Sequence, residues 1–151
     1  MKPLFVLLIT FGLTLLVTFL AGSANVGLSG RVAKFIMLMF TAIGHFKFTQ
    51  GMMMMLPPEI PAKKAIIYVA GVLEIMLGLM LVLKDYTTVA GFVLIGFFIV
   101  LLPANIYAAA RNVNYEKADY TGKGPSYLWI RIPMQILFIG WVYYFAICNI
   151  N

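Results

Sequence analysis

Residues 65–83 read AIIYVAGVLEIMLGLMLVL and carry one ionisable side chain, Glu74, near the middle. A run this long and this apolar is typical of a helix that spans a membrane. A carboxylate at mid-span is costly in hydrocarbon, so such a group usually faces protein or a wet cavity and has a partner. This segment therefore predicts a membrane protein and indicates where a site would lie.

The composition of the whole chain supports this prediction. Hydrophobic residues make up 63% of the 151 residues and charged residues 11%, whereas a soluble domain is about half apolar and about a quarter charged. The basic residues lie at the ends of apolar segments, where they act as topology signals, so the net charge of +6 does not indicate nucleic-acid binding. A single cysteine, Cys148, excludes both an intramolecular disulfide and a C-x-x-C redox pair.

Five apolar segments divide the chain, each near the ~20 residues needed to cross the hydrocarbon core of a bilayer. Strands are not expected, because open sheet edges cannot face lipid. The expected fold is all-α, a polytopic transmembrane helical bundle that forms a single domain over residues 1–151. The five predicted transmembrane helices cover residues 4–21, 32–48, 65–83, 88–110 and 127–148.

The distribution of Lys and Arg predicts the orientation of these helices. Seven basic residues near segment ends fall on one side of the membrane and three on the other, the three being Arg31, Lys34 and Lys84. Because the more basic side is usually cytoplasmic, we expect the N-terminus inside and the C-terminus outside. The first segment has an alternative interpretation as a signal peptide cleaved near residues 21–24 (AGSA), so its retention or removal stays open.

Five polar side chains in four of the predicted spans lie at similar depths. With a rise of ~1.5 Å per residue, all five fall in the inner-leaflet half of the bilayer, and the outer half is expected to hold no comparable group. We expect Glu74 and Arg131 to close a buried polar site as an ion pair. The five residues of this polar cluster are His45, Glu74, Asn105, Arg131 and Gln135.

Each member of the polar cluster also has a purely structural interpretation. The pair of Glu74 and Arg131 would fix helix packing, and Asn105 and Gln135 would form hydrogen bonds between helices. His45 is the one histidine of the chain, and a lone histidine is a poor metal site, so a hydrogen bond at a helix end is expected. The sequence predicts no metal and assigns no catalytic residue.

Two prolines fall inside predicted spans, Pro103 and Pro133. A proline within a helix leaves the carbonyl four residues earlier without its donor, here the carbonyls of Ile99 and Trp129. At membrane depth such carbonyls need a buried partner or a cavity, which the polar site would supply. Alternatively, Pro133 lies near the start of the true helix and residues 128–132 follow the interface.

Small residues and a stiff loop complete the expected site. Gly71 and Gly78 lie on the same helix face as Glu74 and would let another helix approach closely. Four consecutive methionines at residues 52–55 are followed by prolines that stop a helix. We interpret this loop as an apolar cap over the polar site rather than as a copper-binding segment. The residues expected in the loop cap are Met54, Met55, Pro57 and Pro61.

Taken in order, these motifs resemble the DoxX-like family of small membrane proteins over about residues 31–148. They are GHF at 44–46, MMLPP at 54–58, GVLE at 71–74, PANIY at 103–107 and RIPMQ at 131–135. The resemblance implies a compact four-helix bundle in the cytoplasmic membrane, so we expect a DoxX-like core plus an extra N-terminal transmembrane helix. Members of that family are linked with quinone-dependent sulfur oxidation, redox-stress complexes and maturation of other proteins. The resemblance implies no catalytic mechanism.

Three functions are compatible with the sequence. In the first, which we favour, the chain binds a small amphiphile or a protein partner at the polar site, without a cofactor and without catalytic activity of its own. In the second it is the membrane subunit of a quinone-linked oxidoreductase, with a quinone hydrogen-bonded by His45, Gln135 or Arg131. In the third it is a small proton-coupled carrier that uses Glu74, although the inverted repeats typical of carriers are not evident. The lipid bilayer is the expected environment, nucleic acid is not an expected partner, and homo-oligomerisation stays open.

Overall fold

A computed structural model describes residues 2–149 of the chain. Within these residues the regular secondary structure is helical. No β-strand forms there, although Asn114 and Asp119 make an isolated β-bridge. The all-helical class predicted from the sequence is confirmed. By length and composition, five helical segments of the described chain could cross a membrane.

Six α-helices carry the fold. The helices α1 to α6 span Lys2–Leu20, Val26–Lys47, Thr49–Met53, Lys63–Val82, Thr87–Ala110 and Leu128–Val142. Short 3₁₀ turns over Lys84–Tyr86 and Gly124–Tyr127 lead into α5 and α6, and a π-helical segment over Tyr143–Cys148 extends α6.

The second helix begins earlier than residue 32, the predicted start. Asn25 caps α2, since its side-chain oxygen accepts a hydrogen bond from the Leu28 backbone N–H at 2.8 Å. The extra turns bring Arg31 and Lys34 inside the helix, where both side chains are buried.

The last helix runs without interruption from Leu128 through Pro133 to Val142. The alternative start near Pro133 is therefore wrong. Proline is compatible with the first turns of a helix because the N–H groups there have no intrahelical acceptor, and Pro133 lies in the second turn, close to this limit.

Four helices form a bundle, with α2 packed most extensively on α4, α4 on α5 and α5 on α6. The contact of α6 with α2, which closes the ring, is slight. Helix α1 lies along α2 and contributes Leu7 to the core, while most of its surface is exposed. Its Phe11 meets the edge of Trp141, with ring centroids 5.1 Å apart. The light contact between α2 and α6 leaves room for a cavity between them.

Two glycines of α4 bring α2 and α4 together. A Cβ atom on Gly71 would lie 3.0 Å from the Cβ of His45, and one on Gly78 would lie 3.1 Å from the ring of Phe35. Both distances are too short for an ordinary contact, so these positions accept no larger side chain without a shift of α2. The close approach places His45 beside Glu74.

Candidate ligand-binding cavity

A cavity of about 500 Å³ occupies one half of the bundle. It is bounded by the C-terminal halves of α2 and α5 and the N-terminal halves of α4 and α6, together with the first turn of α1 and the α5–α6 loop. Its volume is within the range of about 300–1,000 Å³ that is typical of small-molecule sites. The residues of the predicted polar cluster all line it, namely His45, Glu74, Asn105, Arg131 and Gln135.

Glu74 is the central polar group of the cavity. Its side chain is 5% exposed, and its Oε2 lies 3.4 Å from Nδ1 of His45. The same His45 nitrogen hydrogen-bonds to the carbonyl of Thr41 at 3.1 Å, and Glu74 Oε2 has no hydrogen-bond donor among residues 2–149. A buried acceptor without a donor costs about 1–3 kcal/mol, and more when it is charged. Because Glu74 also lines the cavity, its carboxylate is close enough to the cavity to accept a hydrogen bond from a bound molecule.

Asn105 and Gln135 connect α5 to α6 beside Glu74. The amide nitrogen of Asn105 donates to Gln135 Oε1 at 3.5 Å. The Gln135 amide nitrogen in turn donates to the backbone carbonyl of Phe98, which immediately precedes Ile99, the residue whose helical donor position is taken by Pro103. These two side chains satisfy each other, in agreement with the structural interpretation of hydrogen bonds between helices.

Arg131 does not pair with Glu74. Its Nη1 donates to the hydroxyl of Tyr127 at 3.0 Å, and in residues 2–149 no carboxylate lies within salt-bridge distance of it. The predicted ion pair is therefore wrong. Tyr127 lies four residues earlier on the same helix face, whereas Glu74 is held against His45 by the close packing of α2 and α4.

One end of the cavity, which we call its mouth, is formed partly by the loop between α5 and α6. In the structure, Tyr115 and Glu116 of this loop line the cavity. Glu116 accepts a hydrogen bond from the ammonium of Lys2 at 2.8 Å, and the backbone of Tyr115 lies directly against Gly51 of α3. Burial of the Tyr115 phenol, with a smaller contribution from the neighbouring Tyr127, raises its pKa above the usual value. The loop between α5 and α6 therefore forms part of the cavity wall.

The loop after α2 contributes to the cavity in a different way from that predicted. Residues 49–53 form the short helix α3, and Met52, Met55 and Leu56 line the cavity. The ammonium of Lys63 donates to the Leu56 carbonyl at 3.1 Å and fixes the end of this segment. The other three residues of the predicted loop cap, Met54, Pro57 and Pro61, are not among the lining residues.

Two buried cations beyond the deep end of the cavity were missed. Lys34 is 1% exposed, and its ammonium lies 4.6 Å and 4.1 Å from the ring centroids of Phe98 and Phe138, which line the cavity. Arg31 is 6% exposed and donates to the hydroxyl of Thr87 at 3.5 Å. We expected Arg31 and Lys34 at a segment end, as topology signals, whereas both lie buried within α2. The sequence feature that indicates their place in the helix is Asn25, an N-cap residue that starts α2 before Arg31 and Lys34.

The described residues offer no cluster of His, Cys, Asp and Glu side chains that could hold a metal ion. The fold and the site define a class of protein, an α-helical bundle with an apolar cavity that is closed around a few polar side chains. The chain belongs to the family described as a domain of unknown function (DUF8561), whose family model matches residues 35–146. This match spans the whole polar cluster. Neither a curated protein nor a solved structure matches the chain.

Proposed function

We propose that this chain is an integral membrane protein that binds a small amphiphile in the cavity and has no catalytic activity on its own. The observation that carries the proposal is a cavity of about 500 Å³ whose central carboxylate lacks a donor. Sites for small molecules are typically apolar enclosures with a few polar groups that fix the orientation of the ligand. The cavity has this character.

The exposed surface supports the membrane location. Large apolar side chains are exposed along several helices, including Leu20 at 75%, Val100 at 73% and Trp129 at 84%. Soluble monomers rarely expose extended apolar patches, whereas in a bilayer such side chains face lipid. We place the chain in the cytoplasmic membrane with the N-terminus inside, so that the mouth of the cavity opens toward the cytoplasmic leaflet, where Lys and Arg are enriched. The DoxX-like character of the core is part of this proposal.

A small molecule fits the site better than a protein partner. The cavity is walled by four helices, and Phe98 and Phe138 are among its lining residues, while a stable protein interface needs about 800 Å² of surface from each partner. A quinone is the alternative occupant. Its carbonyls accept hydrogen bonds but donate none, so they could not bond to the buried carboxylate of Glu74, and we favour an amphiphile that carries a donor.

Purification in mild detergent followed by native mass spectrometry tests the proposal. We expect the wild-type protein to retain one amphiphile in stoichiometric amount. Ala104→Phe should abolish retention, because Ala104 lines the cavity and the added ring fills part of it. Val100→Phe is the matched control on the same helix, since Val100 is 73% exposed, and it should retain the ligand. Equal retention by wild type and Ala104→Phe, or no retained molecule in any preparation, would refute the proposal, and a retained quinone would favour the redox alternative.

A further inference from the structure

We infer that the amphiphile is a hydroxylated fatty acid, with its carboxylate at the cationic mouth and its hydroxyl donating a hydrogen bond to Glu74. This inference rests on the proposed function and adds the chemical class of the ligand. Three features support it: the buried carboxylate of Glu74 at depth, the excess of cations at the mouth and the distance between them.

At depth the cavity requires a hydrogen-bond donor from its occupant. The amide of Asn105 bonds to Gln135, the amide of Gln135 bonds to Phe98, and the Nδ1 of His45 bonds to Thr41. The carboxylate of Glu74 lines the cavity, and its polar neighbour is His45, with Nδ1 3.4 Å from Oε2. An unsubstituted alkyl chain would leave this carboxylate against methylene groups without further compensation, which is costly for a buried polar group. A hydroxyl on the chain removes that cost.

At the mouth the cavity presents more positive than negative charge. Lys2, Lys47, Arg131 and Glu116 are the charged residues that line this end. Glu116 is paired with Lys2 at 2.8 Å, whereas Lys47 and Arg131 have no carboxylate within salt-bridge distance in the described part of the chain. An acidic head group there would meet two uncompensated cations, and the guanidinium offers charge-assisted hydrogen bonds.

The charges also favour a neutral donor over an ammonium group at depth. A cationic amphiphile would have to pass Lys47 and Arg131 to reach Glu74. A hydroxyl can donate to the carboxylate of Glu74 without bringing a positive charge past them.

The distance along the bundle between Glu74 and Lys47 sets where the hydroxyl lies on the carbon chain of the fatty acid. His45 is level with Gly71, because their Cβ positions would be 3.0 Å apart. Glu74 lies three residues beyond Gly71 along α4, and Lys47 lies two residues beyond His45 along α2. These two steps run in opposite directions along the axis of the bundle. At ~1.5 Å per residue the two levels differ by about 8 Å along the bundle, before the reach of the lysine side chain is added. The hydroxyl is therefore several carbons away from the carboxylate.

Four commercial probes that share one carbon chain length test this inference: oleic acid, ricinoleic acid, oleyl alcohol and oleylamine. Binding of each to the full chain in detergent is measured by displacement of a fluorescent fatty acid. Ricinoleic acid differs from oleic acid by one hydroxyl, and we expect it to bind about tenfold tighter, the effect of one hydrogen bond to a charged group. Oleyl alcohol should bind more weakly than oleic acid because it lacks the acidic head.

Variants assign the two contacts. In Glu74→Leu the preference for ricinoleic over oleic acid should vanish, whereas Glu59→Gln, on an exposed loop, should keep it. In Lys47→Gln and in Arg131→Gln both acids should bind more weakly, with the binding of oleyl alcohol unchanged.

If Glu74→Leu does not fold, the comparison of the four probes on wild-type protein still tests the inference. Equal binding of both acids, a preference that survives Glu74→Leu, or tightest binding of oleylamine would overturn the inference but leave the proposed function standing. Failure of all four probes, with no native amphiphile retained, would refute the proposed function itself.

Discussion

At the scale of single residues, the site depends on which partner Glu74 has. The membrane depth estimated from residue position along each helix placed Glu74 and Arg131 in the same part of the bundle, and both line the cavity. Depth along a helix does not give the direction of a side chain around the helix axis, so it could not separate Arg131 from His45 as the partner. The packing of Gly71 against His45 makes that selection, and it depends on two helices that are distant in sequence.

The pair of His45 and Glu74 gives the first prediction. Glu74→Gln and His45→Gln should show a coupling of about 1 kcal/mol in a double-mutant cycle, because each substitution removes the polar partner of the other side chain. Thermal melting of the purified protein in detergent measures it. Glu74→Gln combined with Arg131→Gln is the matched control and should be additive within about 0.5 kcal/mol. A larger coupling with Arg131 than with His45 would contradict the observed geometry.

Lys34 gives the second prediction. Its ammonium is stabilised by two aromatic rings, an interaction of about 2 kcal/mol when desolvated, but the cost of burying an ion is several kcal/mol. Since the cost is larger, Lys34→Met should raise the melting temperature. Lys84→Met, at an exposed position, should change the free energy of unfolding by no more than about 0.5 kcal/mol. A marked loss of stability in Lys34→Met would show that the charge is structurally required.

At the scale of helices, the most extensive contact in the bundle is that of α4 with α2, where the glycines of α4 lie. The glycine spacing and the apolar pattern predicted which helices exist, and the predicted ends of α4 and α5 differ from the observed ones by a residue or two. The start of α2 was missed because Asn25 was not recognised as a cap. The mouth of the cavity could not be predicted, since it forms from the first turn of α1 and a loop more than a hundred residues later.

The glycine contact gives the third prediction. Gly71→Ala should lower the free energy of unfolding by about 1–3 kcal/mol, the usual cost of overpacking, because the new methyl group would lie 3.0 Å from the Cβ of His45. Gly96→Ala on α5 is the control. No atom lies within 4 Å of a Cβ added there, so this change should be neutral or stabilising by up to about 1 kcal/mol through helix propensity. Equal effects of both substitutions on the melting temperature would contradict the packing.

At the scale of the whole molecule, a cavity walled by α2, α4, α5 and α6 is consistent with our proposal of a protein that holds its ligand within one leaflet. The all-helical class followed from composition and segment length alone. The orientation in the membrane is a separate prediction that rests on the distribution of Lys and Arg.

Cys148 provides a test of that orientation. It is exposed and lies at the end of the π-helical segment Tyr143–Cys148, so a membrane-impermeant maleimide should label it in intact cells from the outer face. Lys117→Cys in a Cys148→Ser background, in the α5–α6 loop, should be labelled only after permeabilisation. Labelling in the opposite order would show that the mouth of the cavity opens to the outer leaflet.

Photo-crosslinking tests most directly the central claim that an amphiphile occupies the cavity. A diazirine-bearing fatty acid is bound to the wild-type protein in membranes, irradiated, and its attachment sites are mapped by peptide mass spectrometry. We predict labelling at cavity residues such as Met37, Phe98 and Phe138, which is suppressed by excess ricinoleic acid. Labelling confined to the exposed surface of α1, at Phe5 and Ile9, without competition by ricinoleic acid, would contradict the account.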